Sequence, residues 1–216
     1  MKLFSCDHCG HALYFENVVC ERCGHRLGYE PETNALVSLE PAGDHWGAPY
    51  LPGRSFDFCA NAEWGACNWL IEAGSPDGPF CRACRHNEIV PPMDDPANVA
   101  RWQVIERAKK RLVYSLLRMR LPLATRTQDP LHGLSFRFLN EALSHAPIFT
   151  GHQAGIITIA LAEADDAARE YRRTQLNEPY RTLLGHFRHE IGHHYWDILV
   201  GNGPRLEEFR ALFGGE

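Results

Sequence analysis

The sequence predicts an α+β protein in which small cysteine-bound modules precede a larger domain of helices and a few strands. Three observations point there. All eight cysteines of the 216-residue chain lie at or before Cys84. Charge divides in the same region: residues 1–95 carry six Lys and Arg against fourteen Asp and Glu, residues 96–216 sixteen against thirteen. Periodic segments follow in the second part, a helical stripe from Val99 to Leu117 and an alternation over Leu134, Phe136 and Phe138. The boundary falls near Pro91-Pro92-Met93-Asp94-Asp95-Pro96, giving a module over 1–30, a second over 31–95 and a domain over 96–216.

Composition narrows the function classes. The chain is 44% hydrophobic and 23% charged, with net charge −5 and a mean hydropathy of −0.33. No stretch approaches the roughly 18 apolar residues that a membrane helix needs. The N-terminus reaches the polar cluster Cys6-Asp7-His8-Cys9 before any signal-like apolar run. A cytoplasmic, reducing location is therefore expected, where cysteines serve as metal ligands or free thiols rather than disulfides.

Cys6-x2-Cys9 and Cys20-x2-Cys23 form an internal repeat, CDHCGH and CERCGH. Each CxxC turn aims two thiolates at one point, which suits tetrahedral zinc. Gly10 and Gly24 follow the second cysteine of each pair, where a tight turn needs positive φ. Leu13 to Phe15 and Val18-Val19 read as short strands between the knuckles. His8, His11 and His25 are expected at the surface. The second set is Cys59, Cys67, Cys81 and Cys84; only the last two form a CxxC pair. A second structural zinc is expected, with a redox pair at Cys81/Cys84 as the alternative. Phe58, Trp64, Trp69 and Phe80 are expected to make a small apolar floor around it.

These modules are too acidic for phosphate binding, which needs clustered Lys and Arg. Four thiolates on zinc add further negative charge, so no nucleic-acid partner is expected. The basic run lies in 101–126, and reads as the solvated face of a helix. That helix starts at Asp94-Asp95-Pro96, an acidic cap with proline in the first turn. Val99, Trp102, Ile105, Leu112, Val113, Leu116 and Leu117 supply its apolar stripe, and Pro122 ends it. Arg107, Lys109, Lys110, Arg111, Arg118 and Arg120 are expected mostly outside the stripe.

Leu134, Phe136 and Phe138 alternate with Ser135 and Arg137 as a half-buried strand does. A turn at Thr150-Gly151-His152 is expected before a strand over Gly155–Leu161. Asp165 and Asp166 open a short helix carrying Ala167, Ala168 and Tyr171. Asn177-Glu178-Pro179 starts a longer helix to about Val200, Gly201-Asn202-Gly203-Pro204 stops it, and Arg205–Phe213 forms a last one.

That longer helix contains His189-Glu190-Ile191-Gly192-His193. Helix residues four apart share a face, so both imidazoles reach one zinc, and Glu190 is placed to take a proton from its water. His194 lies about 100° further round the helix and is expected in core or at the surface. Catalytic zinc ordinarily has a third protein ligand. An extended HExxHxxGxxH pattern would need Gly at 196 and His at 199, where the chain has Trp196 and Leu199. Glu207 and Glu208 are the nearest acidic candidates; Asp197 is roughly 12 Å along the axis from His189. Tyr195, Tyr171, Tyr180 and His186 are candidate donors to a developing oxyanion.

The paired knuckles, the basic helix, the alternating strand, Ile156-Ile157-Thr158-Ile159 and Arg188-His189-Glu190-Ile191-Gly192-His193-His194-Tyr195-Trp196 together resemble a bacterial family of zinc-ribbon-containing zinc metallopeptidases within the zincin group. The resemblance implies a zinc ribbon over 1–30 and a zincin-like domain over 96–216, with a mixed sheet whose edge strand lines a cleft. It implies His189 and His193 as metal ligands, Glu190 as catalytic glutamate, and an acidic third ligand in a segment beyond Glu216, so that the domain is C-terminally incomplete. Two function classes follow: a zinc-dependent peptidase acting on a peptide or protein, or an adaptor whose ribbons bind a protein partner beside a non-catalytic HExxH domain. No membrane partner is expected, and three zinc ions are: two structural and one catalytic.

Overall fold

A computed structural model describes residues 2–141, 148, 150–175, 182–201 and 203–215. The chain divides into two compact units, one comprising Met1–Arg85 with Val113–Arg120, the other His86–Leu112 with Leu121–Glu216.

In the first unit, β1 (Phe4–Ser5) and β2 (Ala12–Leu13) form a two-stranded ladder across the first knuckle, pairing Phe4 with Leu13. Strands β3 (Arg26–Glu30), β4 (Ala35–Ala42), β5 (His45–Gly47), β6 (Ser55–Phe58) and β7 (Leu70–Glu72) then run as an antiparallel meander in chain order. Val37, Leu39, Ala48, Phe56 and Leu70 form one buried cluster on it. A second core is aromatic. The Phe15 ring stands edge-on to Tyr29 and Tyr114, at 4.9 and 5.3 Å between centroids, and Tyr29 lies 4.6 Å from Trp69.

Two expectations are corrected here. Val18 and Val19 make no strand; both are about two-fifths exposed, and only Val19 bridges, to Arg26. Trp64 and Phe80 are also exposed, at 43% and 40%, so of the expected floor only Trp69 is fully buried, and it belongs to the aromatic cluster.

The second unit holds β8 (Asn87–Ile89), α1 (Pro96–Arg118) as far as Leu112, β9 (Ser135–Leu139), β10 (Gly151–Gln153), β11 (Ile156–Ala160), α2 (Asp166–Gln175), α3 (Leu183–Trp196) and α4 (Leu206–Phe213). Its sheet has the order β10-β11-β9-β8; β8, β9 and β11 are parallel neighbours, and β10 pairs antiparallel at one edge. Phe136 and Phe138 are fully buried on one face, where Phe187 of α3 meets Phe136 edge-on at 5.7 Å. On the other face Ser135 and Arg137 both donate to the Glu88 carboxylate.

The Asp95 side chain accepts from Ala97 N at 2.8 Å and so caps α1 as expected. Its basic residues divide. Arg107, Arg118 and Arg120 are exposed, but Lys109 and Lys110 are buried, contrary to a wholly solvated basic face. Lys109 is 0% exposed because its ammonium donates to Glu106 (2.8 Å) and to Asn87, above the rings of Phe136 and Phe138.

The expected turn at Thr150-Gly151-His152 is also displaced. Gly151 and His152 lie in β10, and the turn is Ala154-Gly155, with φ of 48° and 80°. Two successive positive φ values give the mirror-image turn that matches the twist of paired strands. The expected helix start at Asn177-Glu178-Pro179 lies outside the described residues. The described part of that helix is capped by Thr182, whose Oγ1 accepts from Gly185 N. It changes to a π-helical turn over Asp197–Gly201. Among the described residues no helix is long and apolar enough to cross a membrane.

Candidate metal centres

Three groups of side chains converge. In the first, the ligand atoms of Cys6, Cys9, Cys20 and Cys23 all lie within 4.8 Å of one another. The two knuckles are built alike: Gly10 N donates to Cys6 O and Gly24 N to Cys20 O, each at 2.8 Å. Gly10 and Gly24 have φ of 73° and 77°, which closes each turn without the strain a Cβ would bring. Sulfur separations are 3.7 Å for Cys6–Cys23 and 3.6 Å for Cys9–Cys20. A disulfide would need about 2.05 Å. Zinc–sulfur bonds of about 2.3 Å give tetrahedral edges of about 3.8 Å, so this donor set fits zinc.

The second group is Cys59, Cys67, Cys81 and Cys84, all buried, with Cys67 and Cys81 sulfurs 3.7 Å apart. Its wide spacing has a structural cause. Cys59 follows β6 and Cys67 precedes β7; Cys59 N donates to Trp69 O, so the hairpin returns the two sulfurs to one point. Trp69 N and Cys81 N donate to the Cys67 and Cys59 sulfurs, both at 3.4 Å. Burial pushes the Cys81 thiol well above the ordinary thiol range. A divalent cation supplies what four thiolates need in that environment. This set also fits zinc.

The third group is His189, Glu190 and His193. One turn of α3 brings the Nε2 atoms of His189 and His193 to 3.2 Å, near the edge of about 3.3 Å expected for two imidazoles on one tetrahedral zinc. Both rings are exposed, while Glu190 is 9% exposed. Phe187, Ile191 and Tyr195 are buried and fix which face of α3 turns outward. The Tyr195 hydroxyl donates to Pro122 O at 2.7 Å.

No acidic third ligand joins this group among the described residues. Glu207 and Glu208 are exposed on α4, and Glu207 pairs with Arg210 at 3.5 Å. His194 is buried beside Tyr195, and burial pushes its imidazole down to about 4, so it is neutral at pH 7. The candidate oxyanion donors are mostly engaged elsewhere. Tyr195 is bonded to Pro122, His186 lies 3.2 Å from buried Glu163, Tyr171 is exposed on α2, and Tyr180 is outside the described residues.

One neighbour escaped the sequence reading. His152 of β10 lies with its ring nearly parallel to that of His193, 6.2 Å away, and 6.0 Å from that of His194. Burial lowers its pKa below the ordinary imidazole value, and His193 adds to that, against the opposing effect of Asp197 and Glu190. Only strand pairing places it there; its one signal is a histidine on the edge strand of a hairpin whose turn the local sequence puts too early.

Comparison with known proteins adds the family. A zinc-ribbon domain family matches residues 3–95, and a family described as "putative zinc-binding metallo-peptidase" matches residues 98–216. Uncharacterized proteins of Mycobacterium bovis and of two Mycobacterium tuberculosis strains are 40% identical over 215 residues, covering 99% of this chain and 59% of theirs. The chain thus spans about three-fifths of the length of these relatives. No solved structure matches it. With its HExxH residues converging on one turn of α3, the chain belongs to that family, the one described as "putative zinc-binding metallo-peptidase".

Proposed function

We propose that the protein is a zinc-dependent peptide hydrolase, with structural zinc at each of the two four-cysteine groups and catalytic zinc at His189 and His193. The observation that carries this reading is the pair of imidazole nitrogens 3.2 Å apart with the Glu190 carboxylate in the same group. Zinc bound there would polarise a water molecule and the scissile carbonyl. His189 and His193 present Nε2 from one exposed helix face. Glu190 accepts the proton of the attacking water and delivers it to the departing amine nitrogen. A third protein ligand comes from outside the described residues. The substrate is a peptide or protein, and the cysteine thiolates suit a reducing cytoplasm.

A second reading keeps the ribbons as a protein-binding module beside a non-catalytic HExxH domain. It is favoured by the absence of a third ligand among the described residues. One experiment separates the two: zinc content and cleavage of a quenched peptide library by the protein and by Glu190→Gln. The hydrolase reading expects unchanged zinc and at least about a 100-fold loss of turnover. Undiminished cleavage by the variant, with contaminating protease excluded, sinks the mechanism; no cleavage by the zinc-loaded parent favours the adaptor.

A further inference from the structure

We propose that His152 is a catalytic hydrogen-bond donor at the HExxH centre, giving its Nδ1–H to the reacting carbonyl oxygen of the peptide as negative charge develops there. This rests on the hydrolase reading and deepens it.

Two observations support the assignment. The first is placement and protonation. His152 sits on the edge strand β10, its ring nearly parallel to that of the ligand His193 at 6.2 Å. Gly155 N donates to His152 Nε2 at 3.0 Å. A backbone N–H only donates, so Nε2 is unprotonated and the ring's single proton is on Nδ1. The imidazole is thus neutral, of one tautomer, and left with one donor. A preorganised donor of this kind stabilises a developing oxyanion without reorganising during the reaction.

The second observation is the turn that makes this bond. Ala154 has φ of 48°, a conformation that side-chain-bearing residues rarely adopt, and Gly155 has φ of 80°. The strained carbonyls are tied down: Arg126 Nη1 donates to Ala154 O at 2.7 Å, and Ser135 N to Gly155 O at 2.9 Å. The Gly155 N–H of the same turn goes to the imidazole. Backbone strain held by surrounding structure is a recurrent feature of functional sites. Here it orients one side chain beside a candidate metal centre.

The test combines a structural and a binding measurement. Nitrogen-15 spectra of histidine-labelled protein should show His152 as the Nδ1–H tautomer; the Nε2–H tautomer overturns the assignment. The zinc-loaded protein is then titrated with an N-phosphoryl dipeptide, a tetrahedral oxyanion probe, and assayed on its best library peptide. His152→Ala should weaken probe binding and lower kcat by about 100-fold each, with KM and zinc content nearly unchanged. His152→Gln, which keeps a side-chain N–H, should recover part of both and serves alone if the alanine variant does not fold. Unchanged probe affinity and kcat overturn the proposal while leaving the hydrolase reading intact. So does loss of zinc, which would make His152 a ligand. A parent protein that holds zinc yet neither binds the probe nor cleaves peptides overturns both readings.

Discussion

The buried pair Lys109–Glu106 gives a quantitative test of how the second unit is held together. Both side chains are 0% exposed, and Lys109 Nζ lies 2.8 Å from Glu106 Oε1. Lys109→Met keeps most of the volume against Phe136 and Phe138 but takes the ammonium away from a buried carboxylate. Breaking a buried pair from one side costs about 3–5 kcal/mol. Asn87 Nδ2 still donates to Glu106 Oε1 at 2.8 Å, which retains one charge-assisted bond and places the loss near the lower end, about 3 kcal/mol. The double variant Lys109→Met/Glu106→Leu removes both charges and should fall within about 1–2 kcal/mol of the parent, since apolar replacement of a buried pair is often close to neutral. Asn87, only half-buried, finds water in their place. Urea unfolding of the four proteins, followed by far-UV circular dichroism, yields the coupling energy directly. A single-variant loss under about 1 kcal/mol, or a double variant whose loss is the sum of the two singles, would refute the reasoning.

Three further outcomes are expected. Cys6→Ser should lower the zinc content by one and abolish hydrogen-exchange protection over residues 1–30, while α3 keeps its protection; protection persisting over 1–30 would contradict a structural zinc there. Gly155→Ala forces a side chain onto a φ of 80° and against Gly133 O, so denaturant unfolding should show a loss of about 2 kcal/mol or more, whereas Ala154→Gly should be neutral or stabilising. The hydrogen bond from Arg137 holds the Glu88 carboxyl below its ordinary value. A depressed folded pKa contributes stability that is present above the unfolded pKa and lost as pH falls through the folded one. Thermal melts from pH 7 to pH 3 should therefore show Glu88→Gln losing less stability than the parent on acidification, with parallel curves above about pH 6; identical acid limbs would count against the pair.

Local spacing carried much of the site. Four residues is one turn, so His189 and His193 had to share a face of any helix that formed, and two residues between cysteines is one knuckle. The alternation of Leu134, Phe136 and Phe138 likewise reports a strand with one buried face, because side chains alternate with period two whatever the partner strand is. Even Lys109 was in phase: with Trp102, Ile105, Leu112 and Leu116 it keeps the 3-and-4 spacing of one stripe. Its charge argued for solvent, and only the tertiary structure supplied the Glu106 carboxylate, the Asn87 amide and the two rings that make its burial tolerable.

The rest depended on pairing between distant segments. Cys59 and Cys67 come together because β6 and β7 form a hairpin, and Cys81 joins them through its N–H on the Cys59 sulfur, neither of which spacing along the chain encodes. His152 faces the HExxH turn because β10 folds back on β11 at Ala154-Gly155. An alanine there gives no local signal of positive φ, so the local sequence points to a turn that is too early. Composition and periodicity determined which residues are chemically able to hold metal or move a proton. Tertiary structure decided which of them share a site, since hydrogen bonding between strands and burial against neighbours outweigh local preference wherever the two disagree.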